Sequence, residues 1–220
     1  MTPHGVTNHF SRAVIPDTPV TDDESFLAML NNIRASTEAA IDAVMTGEPD
    51  HVIMGMSAET FWDGRDGAAD LKARLEARAG CGVTTGSEAC LAATGAYGGI
   101  RRVAVLTPYM PIGDRNVEKF FTDCGFEVVR ILGLKCPGPR LIAHVSRQRL
   151  RDAVIELDGD DVDAIIQAGT NLAFAEVAAM AEFWLDKPVI AINTATYWHA
   201  LRSNGIDDRL PGHGRLLAEF

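Results

Sequence analysis

The side chains that could do chemistry in this chain gather in five short turns. They read GMSAETFW (55–62), TTGSEA (84–89), TPYMPIGD (107–114), AGTNL (168–172) and NTATYWH (193–199). Ser57, Thr84, Thr85, Tyr109, Thr170 and Asn171 stand in them and offer hydroxyl or amide donors to an oxyanion. Helices predicted to begin just after the turns would add free backbone N–H groups and a partial positive charge, which suits a carboxylate or a phosphate. A single Ser or Thr at a helix start is ordinarily an N-cap. Crowding of this kind in four of the five turns points instead to an anion site. Glu59 lies two residues after Ser57, beside Phe61 and Trp62. Its ordinary reading is a carboxylate favoured by the first turn of a helix. Buried by the aromatic pair, it would become a candidate acid or base. No G-x-G-x-x-G and no G-x-x-x-x-G-K-[ST] occurs, so neither a dinucleotide nor a P-loop site is expected.

The elements that must position these turns follow from the apolar pattern. Short apolar runs at 51–55, 101–107, 126–132, 163–169 and 188–193 read as buried parallel strands. Helical spacing predicts helices over 23–45, 68–79, 87–97, 114–124, 146–157, 173–185 and 194–203, with Ser87 as an N-cap and Gly125 as a stop. Alternation of this kind predicts an α/β fold with a parallel sheet, helices on both faces, and ligands at the carboxyl ends of the strands. HVIMGMSAETF and DAIIQAGTNLAF repeat one plan of strand, Gly-containing turn and helix, a crude twofold echo. The only candidate for an opening strand is Val6–Val14, with Pro16 and Pro19 soon after, so the first strand is either poor or missing.

Composition narrows the function classes. A net charge of -10, with no basic stripe, argues against nucleic acid as a partner. No stretch approaches the ~18 apolar residues of a membrane span. The four cysteines (Cys81, Cys90, Cys124 and Cys136) form no C-x-x-C pair, so no metal site is expected and the thiols read as packing in a reduced, cytoplasmic protein.

Three segments carry a family resemblance. RRVAVLTPYMPIGDRNVEKFFTDCGFEV resembles the middle of maleate cis-trans isomerases. PGHGRLL resembles the closing motif that these enzymes share with arylmalonate decarboxylases, and DAIIQAGTNL…KPVIAINTATYWHALR has the second-half pattern of both. The resemblance covers roughly residues 50–220 and places the chain in the Asp/Glu racemase superfamily. The GMSAETFW and GTNL turns also resemble an ectoine-utilisation branch of it.

The resemblance implies two Rossmann-like parallel-sheet lobes related by a pseudo-twofold, with the active-site cleft between them. The first lobe would comprise 1–85 plus 195–220 and the second 86–194. It implies two facing positions that carry cysteines in racemases, of which the decarboxylases keep only the second. Here Ser57, or Met56 beside it, stands at the first and Gly169 at the second, and no cysteine falls at either. Tyr109 matches a tyrosine that binds the substrate carboxylate, and His213 stands where relatives carry Tyr or Ala. Ser57 and Glu59 are therefore the catalytic candidates. Tyr109, Thr84, Thr85, Gly169, Thr170, Asn171 and His213 are the substrate-binding candidates. The function implied is a cofactor-independent isomerase or lyase acting on a small dicarboxylate, maleate- or malonate-like. The alternative is a carboxylate-binding protein that has lost catalysis. A homo-oligomer is left open.

Overall fold

The computed structural model describes residues 1–220. Six strands are present, all paired in parallel: β1 (His51–Ile53) with β2 (Gly82–Thr84), and β3 (Arg102–Thr107), β4 (Glu127–Gly133), β5 (Ala164–Gln167) and β6 (Val189–Ala191) in the order β4-β3-β5-β6. The helices are α1 (Asp23–Met45), α2 (Ser57–Thr60), α3 (Gly64–Ala79), α4 (Gly86–Tyr97), α5 (Pro111–Asp123), α6 (Arg147–Leu157), α7 (Ala175–Leu185), α8 (Ile192–Ser203) and α9 (Arg215–Glu219). No helix is long and apolar enough to cross a membrane.

β3 shows why the runs become strands. Its alternate residues serve two cores: Val103 and Val105 join Phe26, Phe61, Phe121 and Ile190 on one face, while Ala104 and Leu106 join Leu150, Val154 and Phe174 on the other. Both faces are dry, so the strand has no polar alternation to display. The first of these cores reaches from α1 to α9, whereas the smaller sheet packs a separate cluster of Ile41, Met54, Leu71, Leu75, Ala79 and Val83. α1 starts where Asp22 and Ser25 form a reciprocal capping box, and it buries Phe26, Met29, Leu30 and Ile33 as one stripe.

The opening strand is missing, as one of the two expectations had it, and the structure departs from the sequence reading at two further points. No strand forms over Val6–Val14; the chain has no regular structure there, and the smaller sheet holds only β1 and β2. β2 itself has no predicted counterpart, because Val83 is the only large apolar residue in its three-residue span. The cap of α4 is Thr85, whose hydroxyl accepts from Glu88 N at 3.4 Å, and Ser87 sits inside the first turn.

Candidate active site

The turns after β1, β3 and β5 meet. Ser57 Oγ lies 2.9 Å from Tyr109 Oη, accepts a hydrogen bond from Thr170 N at 2.9 Å, and lies 3.4 Å from Thr170 Oγ1. Thr170 Oγ1 in turn donates to the Gly55 carbonyl at 2.6 Å. Because every strand is parallel, each turn leaves its sheet at the carboxyl end, and the two sheets bring those ends together. Ser57 and Tyr109 are buried, and burial pushes the Tyr109 phenol well above its ordinary pKa, opposed only by the Ser57 hydrogen bond. Tyr109 is thus a neutral donor throughout the physiological range. Its ring is fixed edge-on to Phe26, with centroids 5.5 Å apart.

This cluster borders a cavity of about 910 Å³. Gly55, Ser57, Tyr109, Gly169, Thr170 and Asn171 contribute to its wall, and α1 supplies an apolar side through Met29, Ile33 and Ile41. None of the four cysteines lines it. Cys90 and Cys136 are buried, and burial raises both thiols, Cys90 to about 12.

Gly169 has φ +110°, a backbone state that side chains resist, and a Cβ there would lie 2.6 Å from Pro108 Cγ. Gln167 holds this turn by donating to the Gly169 carbonyl at 2.8 Å, and Asn193 donates to the Thr170 carbonyl at 2.8 Å. Asn193 had a readable signal, since it ends a predicted strand, whereas Gln167 lies two residues before the end of one. Asn171 lies at the rim and donates to the Pro139 carbonyl at 2.8 Å.

Four candidates are not brought to the cluster. Glu59 is buried, but both its oxygens accept from Arg34 Nε at 2.9 Å, and Arg34 rests over the Trp62 ring. Residues two apart on a helix face away from one another, so a Ser57 aimed at the cavity turns Glu59 toward α1. Thr84 Oγ1 bonds His51 Nε2 at 2.8 Å and His199 Nδ1 at 3.0 Å, and Thr85 is the helix cap already described. Burial lowers the pKa of both imidazoles. His213 sits beside Tyr97, Glu182 and Thr194 around a separate void of about 10 Å³, on the α7 side of the molecule.

The closing PGHGRLL motif is a latch at that place. Glu182 of α7 is 5% exposed and accepts from Tyr97 Oη at 2.5 Å and from Arg215 N at 2.8 Å. A Cβ on Gly214 would stand 3.0 Å from its Oε2, so the motif needs glycine to pass. Glu182→Ala strands two donors, and a loss of about 2 kcal/mol is expected. A urea midpoint equal to that of the wild type would show that the latch carries no stability.

The sequence profile of the arylmalonate decarboxylase family matches residues 21–217. The chain belongs to that family. The maleate isomerase of Alcaligenes faecalis is 26% identical over 121 residues, 54% of this chain and 48% of the relative. The sequence match thus spans about half the length of that relative. The maleate cis-trans isomerase of Nocardia farcinica, bound to TRIS, superposes with a TM-score of 0.82 at 20% identity, covering 91% of this chain and 82% of that one. A solved arylmalonate decarboxylase superposes with a TM-score of 0.75 at 24% identity, covering 86% and 83%. The resemblance to the Asp/Glu racemase superfamily therefore holds in sequence, and the two-lobe α/β fold holds in structure.

Proposed function

We propose that this chain binds a small dicarboxylate, maleate- or malonate-like, at the Ser57–Tyr109–Thr170 cluster and converts it by isomerisation or decarboxylation without a cofactor. The observation that carries the reading is the junction of three donors, Ser57 Oγ–H, Tyr109 Oη–H and Thr170 N–H, supplied from both lobes at the carboxyl ends of three strands. Ser57 Oγ accepts from Thr170 N–H and shares a hydrogen bond with Tyr109 Oη. An incoming carboxylate oxygen would take the place of the Ser57–Tyr109 bond and receive both hydroxyl protons. Fixed donors of this kind favour the charge that develops on an enediolate. The proposal extends to the lobe division near residue 85, to Gly169 and Asn171 as wall and rim of the site, and to a fold that works without thiols at the two facing positions.

A second reading has its own support. No cysteine lines the cavity, and Pro108 occupies the space a side chain at Gly169 would need. A carboxylate-binding protein without turnover would need nothing more than the three donors.

Proton NMR of the protein in D2O with maleate, fumarate, methylmalonate, phenylmalonate and both enantiomers of aspartate and glutamate decides between them. Loss of a substrate signal, or deuterium entering an α-position, is the expected result. Saturable line broadening of one acid with no conversion would replace the enzyme by the binding protein, and silence across the panel would end both readings for these acids.

A further inference from the structure

Thr107 ends β3, is fully buried, and faces two partners with one hydroxyl. Its Oγ1 donates to Asp114 Oδ1 in the first turn of α5, and it accepts from Tyr109 N at 3.1 Å. A hydroxyl has one proton and two lone pairs. An ionised carboxylate can only accept, so it fixes the Thr107 proton toward α5 and leaves a lone pair for the Tyr109 amide. A neutral carboxyl brings a proton of its own, and the orientation of the hydroxyl is no longer set. The carboxylate is held in place by shape as well: a Cβ on Gly133 of β4 would lie 2.8 Å from Asp114 Cγ.

We infer that Asp114, acting through the Thr107 hydroxyl, positions the Tyr109 turn, and that the donor cluster is fully assembled only while Asp114 is ionised. The consequence for turnover rests on the functional reading above; the structural consequence does not.

The charged groups facing Asp114 are Asp23 from α1, Arg115 from α5 itself and Lys135 from the loop after β4. Burial raises its pKa to about 6; the Thr107 hydrogen bond, Lys135 and Arg115 oppose this, and Asp23 adds to it. The sign for stability follows. Between the ordinary carboxylate range and about 6 the folded chain keeps a proton that the unfolded chain has released, so the fold loses stability as pH rises through that window. An ionised Asp114 therefore opposes folding at neutral pH, and stability alone does not account for a carboxylate at this position.

The test follows the Tyr109 backbone amide in 15N-labelled protein from pH 5 to 8, alongside the pH profile on whichever acid the panel shows to turn over. The amide shift is expected to titrate with a midpoint near 6. Turnover is expected to fall about tenfold from pH 7 to pH 5, as one ionisation requires. Asp114→Asn should abolish the midpoint in both readouts. Thr107→Val should uncouple the amide from the carboxyl, and Thr107→Ser should restore the coupling. A wild-type amide flat across this range overturns the inference, as does an Asn variant that titrates like the wild type. If the amide titrates and no acid is converted, the proposed activity fails and the positioning role stands.

Discussion

Replacing Tyr109 with phenylalanine is expected to lower kcat/KM on the active dicarboxylate by roughly 10²–10³-fold, the usual effect of removing one fixed donor to a developing oxyanion. The ring stays, with its edge contact to Phe26 and its place in the core. Only the Oη–H leaves. Ser57 Oγ keeps its bond from Thr170 N, so no buried polar atom is stranded, and the melting temperature should stay close to that of the wild type. Ser57→Ala differs in kind, because it removes a donor to the ligand and also the acceptor of Thr170 N–H. It should lose activity to a similar degree and some stability as well. The double variant should lose less than the product of the two single losses, since both hydroxyls serve one oxygen. If the double variant keeps both turnover and affinity, the cluster is not the ligand site. If the cleft only binds, the same substitutions move Kd in place of kcat/KM.

The pieces of this site were legible to different degrees. Ser57, Tyr109 and Thr170 could be picked out because each follows an apolar run, and parallel pairing sends every such turn to the same edge. Thr84 stands in a turn of similar composition but lies outside the cluster, because its hydroxyl is taken by imidazoles 33 and 115 residues away in sequence. Nothing local announces either partner. The direction of Glu59 could have been read from helix geometry: two residues from Ser57, it faces elsewhere, and it meets Arg34 there. His213 was carried by motif alone, and the tail runs over α7 instead of into the cleft. The strands divide in the same way. β3 is six residues buried on both faces and is plain in the sequence, whereas β2 is three residues long and owes its state to pairing with β1. The opening stretch Val6–Val14 was a poor strand candidate in the sequence, and it pairs with no neighbour in the fold.

Placing a thiol in the cleft should work at one glycine and fail at the other. A Cβ at Gly55 meets no atom within 4 Å, and Gly55 already lines the cavity, so Gly55→Cys places its sulfur in open space beside the donor cluster. Its carbonyl, which holds Thr170 Oγ1, is a backbone atom and survives the substitution. Gly169→Cys meets two penalties at once. The φ of +110° is costly for any residue with a Cβ, and Pro108, a rigid ring, stands 2.6 Å away at Cγ. Backbone strain of about 1–3 kcal/mol and overpacking of similar size together predict a loss on the order of 3 kcal/mol. Denaturant melts of the two variants measure the contrast directly: a midpoint close to the wild type for Gly55→Cys and a large drop for Gly169→Cys. Ala at each position separates the backbone from the sulfur, and Gly169→Ala should lose nearly as much as the cysteine. Equal stability of the two cysteine variants would mean that the Pro108 turn yields easily and that the glycine is not required by shape. The expected contrast instead makes Gly169 and Pro108 a matched pair, in which the proline that leads into Tyr109 fills the space a side chain at position 169 would need.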